Sequence, residues 1–205
     1  MLNLNSFKLV LASSSPRRKA LLGDLGLSFI QIFPQIDEVP LHDKEPPADY
    51  VVRLAGEKGD EAARQLRLKG EDYTYLIVSA DTVVVIDQQV LEKPNSKSHA
   101  RSMLEKLSSR RHTVITGMCL QKRSGRGELL HEKRGFFETH VYLRALSSRD
   151  IEWYIETGES MDKAGSYAIQ GIGSSLVSSI EGSYTNVVGL PLAELQGWLS
   201  DISCQ

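Results

Sequence analysis

The chain has 205 residues, 41% of them hydrophobic and 24% charged, and 24 basic residues against 26 acidic ones leave a net charge of −2. These values fit a globular chain with one sizeable core and speak against a sequence-independent nucleic-acid binder, so any basic group that meets phosphate must act locally. No apolar stretch approaches the roughly 20 residues of a membrane span, and the first eight residues lack the shape of a signal peptide. Cys119 and Cys204 lie far apart, with neither metal-ligand spacing nor a disulfide framework, which suggests a reducing, cytoplasmic setting.

In chain order, Phe7–Ala12 reads as a buried strand and Ser13, Ser14 and Ser15 as a polar turn. Pro16 suits the first helical position because its φ is already helical. The helical pattern runs through Leu25, and Gly26 is its stop. Hydroxyls beside a helix start, with Arg17 and Arg18 just inside it, offer a phosphate free N–H groups, the positive end of the dipole and planar guanidinium donors. A plain strand-to-helix connection with solvated arginines fits the same spacing.

Ile36–Pro47 is a polar, acidic loop that contains Glu38. From Asp49 to about Leu68 the apolar residues fall at helical spacing. Gly56 and Gly59 inside this helix each cost about 1 kcal/mol relative to alanine. By pattern alone, Lys58 belongs to an exposed charged face. Tyr75–Ala80 and Val83–Ile86 are apolar, β-branched blocks separated by Asp81-Thr82. A carboxylate enclosed there is costly unless paired, which makes Asp81 a candidate catalytic or metal-binding group. A strand-end aspartate facing solvent is the other reading.

Asp87-Gln88-Gln89 reads as a turn. Lys93 sits before Pro94, whose ring stiffens the loop and aims the ammonium, although a solvated loop lysine is the simpler reading of that spacing. Ser96–Leu107 is a helix, and His112–Gln121 and Phe136–Leu143 are strands joined by an excursion over Lys122–Lys133 that contains Ser124-Gly125-Arg126-Gly127 and has the look of a hairpin. Ser147 or Ser148 starts a helix that ends near Gly158. Met161–Gly173 is loop-rich and holds three glycines, which let backbone approach a ligand. Within it Gln170 has both the donor and the acceptor needed to read a base edge, although an ordered structural loop fits too. Leu176–Ile180 is a strand, and Pro191 opens the last helix. Early alternation of helices and strands followed by paired strands predicts a mixed sheet with flanking helices. The five histidines show no metal-ligand pairing, and no phosphate-loop lysine motif occurs.

Taken together, these segments resemble the Maf (septum formation) family of nucleoside triphosphate pyrophosphatases. The matching pieces are Leu-Ala-Ser-Ser-Ser-Pro-Arg-Arg ending at Arg18, Ser-Ala-Asp-Thr ending at Thr82, Leu-Glu-Lys-Pro ending at Pro94 and Thr116-Gly117. Met-Asp-Lys-Ala-Gly ending at Gly165, Ala-Ile-Gln-Gly ending at Gly171 and Asn-Val-Val-Gly-Leu-Pro ending at Pro191 complete the set. They run in family order over nearly the whole chain, as expected of a single Maf-like domain over residues 1–205.

The resemblance implies an elongated mixed α/β sheet with a cleft between two lobes, similar to inosine-triphosphate pyrophosphatases. It implies hydrolysis of a nucleoside triphosphate to monophosphate and pyrophosphate with a divalent cation, Mg or Mn. Carried over by motif, Ser13, Arg17 and Arg18 hold phosphate, and Glu38, Lys58 and Lys93 line the cleft, with Glu38 a metal ligand or a base. Asp81 is the catalytic acid-base residue, and Thr82 and Gln170 help choose the base. Arg17, Thr82 and Gln170 side with the branch acting on dTTP and UTP rather than the branch linked to 7-methyl-GTP. Gly56 and Gly59 depart from the larger residues usual beside the helix lysine, and the excursion at Lys122–Lys133 is slightly long. The resemblance also implies a homodimer, no nucleic-acid or membrane partner, and as the competing class a non-catalytic nucleotide-binding regulator of cell division.

Overall fold

The computed structural model describes residues 6–37, 41–42, 45–67 and 73–203. Glu38, Leu68 and Cys204 lie outside the described residues. Seven strands form a mixed sheet in the order β2-β1-β3-β5-β6-β7, with β4 paired to β3, and helices flank it. The chain divides into two compact units, one made of Met1–Asp81, Thr116–Phe137 and Gly189–Gln205, the other of Thr82–Ile115 and Glu138–Val188.

In the first unit β1 (Phe7–Ala12) lies parallel between β2 (Ile30–Ile32) and β3 (Thr74–Ile86), so that Val10 faces Ile30 on one side and Ile77 on the other. A strand buried on both flanks reads as a continuous apolar run, which is why β1 is plain in the sequence. β2 is not, because three residues are too few to show an alternation. Asp81-Thr82 does not break β3; the strand runs straight through it. The helices here are α1 (Pro16–Asp24), α2 (Pro47–Arg67) and α6 (Leu192–Ser203). Val10, Ala12, Ile32, Tyr75 and Ile77 pack against Ala62, Ala63 and Leu66 of α2.

Small residues bring α2 close to the sheet. A Cβ on Gly117, in β5 (Arg111–Arg123), would overlap the backbone carbonyl of Val51 in α2. A Cβ on Gly59 would sit 3.1 Å from the Ser79 hydroxyl and 3.2 Å from the Gln121 side chain. Gly56 makes room for the Arg134 guanidinium, the far end of a flexible side chain. The two glycines that depart from the family pattern therefore have steric causes within this chain. They weaken α2 intrinsically, and close packing offsets that cost.

In the second unit β4 (Gln89–Leu91) turns back antiparallel on the end of β3. Asp87 and Gln88, at φ 50° and 61°, are the two central residues of this hairpin, and two left-handed residues match the strand twist. The expected three-residue turn is therefore one residue too long, with Gln89 already in the strand. Ser96 caps α3 (Lys97–Leu107) by accepting from the His99 amide at 3.1 Å. Ser147 and Asp150 form a capping box at the start of α4 (Ser148–Glu156). β7 (Val177–Glu181) pairs antiparallel with β6 (Leu129–Leu143), and the short α5 (Tyr184–Val188) follows. Leu104, Leu107, Val114, Val141, Tyr154 and Leu176 are among the residues that fill this unit's core.

The hairpin expected at Lys122–Lys133 is present, and more of it is strand than the expected bounds of Gln121 and Phe136 allow. β5 runs to Arg123 and β6 starts at Leu129, leaving a turn in which the Ser124 amide donates to the Glu128 carbonyl at 3.0 Å. These strand ends are exposed or half-buried, so selection for an apolar alternation is absent there and polar residues conceal how far the pairing runs.

No described helix is long and apolar enough to cross a membrane. The Gly117→Ala variant is expected to lose about 1–3 kcal/mol of stability, because backbone must move to admit one methyl group. Urea denaturation should show this as a lower midpoint at unchanged slope.

Candidate active site

The first unit carries the serine-arginine turn. Ser13 is buried and pinned: its amide donates to the Ile32 carbonyl at 3.0 Å, and its carbonyl accepts from Gln31 Nε2 at 2.9 Å. Its hydroxyl accepts from the Ser15 amide at 3.2 Å and from Arg18 Nη1 at 3.4 Å. Ser15 is the N-cap of α1, Pro16 opens the helix, and no acidic residue occupies the first turn. An α-helix leaves its first N–H groups without intrahelical partners, so this end favours an anion. Arg18 Nε also donates to the Gly189 carbonyl at 2.7 Å. Arg18 is thus held against the segment leading into α6, and Arg17 beside it is half-buried.

Lys58 and Asp81 meet in the same unit. Lys58 Nζ lies 2.5 Å from Asp81 Oδ1, and the two side chains are 11% and 14% exposed. Lys58 is therefore not part of the exposed face that its helical position suggests. Its helix lies close enough to the sheet for the ammonium to be drawn to the middle of β3. Asp81 and Thr82 are the two half-buried positions in the otherwise buried run from Tyr75 to Val84. Sequence reasoning singled out both charged residues, but their pairing depends on the approach of α2. Among the described residues no group of three or more histidines, cysteines, aspartates and glutamates is arranged to hold a metal ion. The remaining cysteine of interest, Cys119, is buried, and burial pushes its thiol up to about 12, which makes it inert as a nucleophile.

The second unit carries Thr82, Lys93 and Gln170. Lys93 is exposed on the loop after β4. The Glu92 carbonyl beside it accepts from the Gly165 amide at 3.2 Å. Gly165 has φ 67°, and a Cβ there would press on Val84 at 3.0 Å, so this tether requires glycine. Gly165 belongs to a 3₁₀ turn, Ala164–Ser166, and a second, Gly171–Leu176, follows Gln170. Between them the chain is fastened to the core. Tyr167 is buried, and its hydroxyl bonds His112 Nε2 at 2.7 Å. The Ala168 amide donates to the Tyr154 hydroxyl at 3.2 Å. Gln170 itself is half-buried. His112 and Tyr154 escape sequence reasoning because each occupies an ordinary core position of its strand or helix. Their contacts to the loop are 55 and 14 residues away in the chain.

Comparison with known proteins agrees with this arrangement of motifs. A family profile described as "Maf-like protein" matches residues 8–202, and the chain belongs to the Maf family. A dTTP/UTP pyrophosphatase of Anaeromyxobacter sp. (strain Fw109-5) is 46% identical over 92% of this chain and 86% of its own length. A dTTP/UTP pyrophosphatase of Caldicellulosiruptor saccharolyticus is 43% identical over 95% of this chain and 94% of its own. One of Vibrio vulnificus is 45% identical over 91% and 94%. Among solved structures, a nucleoside-triphosphatase / dITP/XTP pyrophosphatase of Mycobacterium abscessus aligns over 95% of each chain at 13% identity with a TM-score of 0.41, too distant to bear on the site.

His112 makes the loop's anchorage sensitive to acid. Burial pushes its imidazole down to about 4, with only partial relief from the Arg110 backbone, against an ordinary value of 6.5. The unfolded chain therefore takes up the proton first. Stability is complete above pH 6.5 and falls as the pH drops from 6.5 to 4, by at most about 3 kcal/mol at about 1.4 kcal/mol per pH unit. Denaturation between pH 4 and 8 should show this slope. In His112→Gln, stability should be lower at pH 7 and the slope over that interval shallower.

Proposed function

We propose that this protein hydrolyses dTTP and UTP to the monophosphate and pyrophosphate in the cytoplasm. The observation that carries the reading is the Lys58–Asp81 pair, a nearly enclosed ammonium and carboxylate at the Maf motif Ser-Ala-Asp-Thr. The names of relatives that match over nine-tenths of the chain support the substrate class.

A triphosphate is polyanionic, and a nucleophile reaches it only after that charge is offset, so most of the catalysis is positioning and charge stabilisation. Ser13, Arg17, Arg18 and the start of α1 serve the phosphates, with Lys58 and Lys93 adding positive charge. Water attacks the α-phosphorus, the bond from that phosphorus to the oxygen bridging to the β-phosphate breaks, and pyrophosphate leaves. Asp81 accepts the proton from the attacking water. Lys58, bonded to one carboxylate oxygen, fixes the orientation of the base.

A magnesium-like ion needs few protein ligands of its own. According to the family resemblance Glu38 would hold it, which leaves Asp81 to accept the proton. A bound Mg or Mn ion would neutralise charge on the phosphates.

Gln170 selects the base. Its carboxamide donates to O4 and accepts from N3–H of thymine or uracil. Cytosine reverses that pattern and would leave polar groups unpaired, and a purine presents a different edge and size. Thr82 supports the same choice.

Pyrophosphate release with Mg or Mn should be faster from dTTP and UTP than from dCTP or GTP. Equal rates on all of them would refute the base assignment, and release mainly from 7-methyl-GTP would assign the chain to the other branch. Asp81→Asn should lower turnover by about 10²–10⁴-fold while unfolding remains cooperative. Turnover at the wild-type rate in that variant would remove Asp81 from the chemistry.

A further inference from the structure

Gln170 occupies the N-cap position of the 3₁₀ turn Gly171–Leu176, yet its side chain makes no capping hydrogen bond. The amides two and three places on from that position ordinarily take a cap from a short Ser, Thr, Asp or Asn side chain, which Gln170 does not offer. Here Glu159, eleven residues earlier, caps them instead. Its Oε2 accepts from the Gly173 amide at 2.7 Å, and its Oε1 accepts from the Ile172 amide at 3.3 Å. Oε1 also occupies the space a Cβ would fill on Gly171, so glycine is needed there both for its φ of 64° and for the carboxylate.

Glu159 is itself held from several directions. Its amide donates to Thr157 Oγ1 at 3.2 Å, and its carbonyl accepts from Lys163 Nζ at 2.7 Å. Its carboxylate helps burial to push the Tyr154 hydroxyl above the usual phenol range. That same hydroxyl accepts from the Ala168 amide, so one tyrosine and one glutamate bracket Gln170 from both sides in the chain. A Cβ on Gly173 would lie 2.6 Å from the Tyr154 hydroxyl and 2.5 Å from the Ala168 carbonyl oxygen, which leaves the turn little freedom to shift.

We infer that Glu159 is a positioning residue for base discrimination: by capping the turn after Gln170 it fixes the direction of that carboxamide toward the base. This rests on the role of Gln170 proposed above. The Glu159 carboxylate is engaged by the Ile172 and Gly173 amides beside Gln170, so its removal should affect which base is accepted more than the step at phosphorus. A tenfold loss of discrimination is a reasonable scale, since misplacement by about 1 Å costs up to about 10²-fold.

The experiment compares kcat/KM for dTTP and dCTP in wild type, Glu159→Ala, Glu159→Gln, Gln170→Ala and the double variant Glu159→Ala/Gln170→Ala. Glu159→Ala should shrink the dTTP-to-dCTP ratio about tenfold, mainly through KM for dTTP. Glu159→Gln, which keeps the length and one acceptor oxygen, should fall between Glu159→Ala and wild type, and it serves alone if the alanine variant fails to fold. In the Gln170→Ala background, Glu159→Ala should not change the ratio further, because two residues acting as one unit are not additive. An unchanged ratio in both Glu159 variants, or a full additional loss in the double variant, overturns the inference while leaving the activity in place. Absence of pyrophosphate release from dTTP and UTP by wild type overturns the underlying reading instead.

Discussion

Lys58 brings an ammonium group into a region nearly closed to water, and Asp81 is the carboxylate that makes this tolerable. Removing one partner of a fully buried ion pair costs about 3–5 kcal/mol, because the other charge is left without compensation. The pair forms only if α2 lies close to β3. That closeness rests on Gly117 against the Val51 backbone and on Gly59 against Ser79 and Gln121. The Ser79 hydroxyl, two residues before Asp81, donates to the Ala55 carbonyl at 2.6 Å and ties helix to strand beside the pair. The glycines in the helix, which weaken it in isolation, therefore contribute to placing the Lys58 ammonium.

The second unit meets the demand that the role proposed for Gln170 sets: a loop that reads a base must hold a polar side chain still without using that side chain to do so. The segment after α4 is fastened by groups outside it or at its edges: Glu92 through its carbonyl, His112 through Tyr167, and Tyr154 through Ala168. Burial pushes the hydroxyls of Tyr154 and Tyr167 well above the usual phenol range, so both are neutral hydrogen-bonding groups at neutral pH. Rigidity in such a loop is what converts one missing hydrogen bond into discrimination between bases.

Elements with a strong local signal were legible in the sequence. β1 is a continuous apolar run, α3 and α4 have serine caps followed by apolar residues at helical spacing, and Pro16 marks the start of α1. β2, β4 and α5 were not legible, because three residues are too few to show a strand's alternation and five make little more than one helical turn. The hairpin between β5 and β6 was legible from its turn residues, but how far its strands run was not, since backbone hydrogen bonds impose no apolar pattern on exposed side chains.

The sequence by itself determined the family and singled out the candidate site residues, because motifs in fixed order specify which residue types occur and where along the chain. It also determined that Asp81 interrupts an apolar strand, since that is a property of neighbours in the chain. Tertiary structure alone decided that Lys58 is enclosed rather than solvated, that Arg18 reaches the Gly189 carbonyl, and that Glu159 rather than Gln170 caps the turn. Each of these depends on contacts between residues 13 to 171 positions apart or on the depth to which a helix settles onto a sheet. Side-chain periodicity reports which face of a helix turns inward; it does not report how close two backbones come, which here is set by the absence of a Cβ at Gly117 and Gly59.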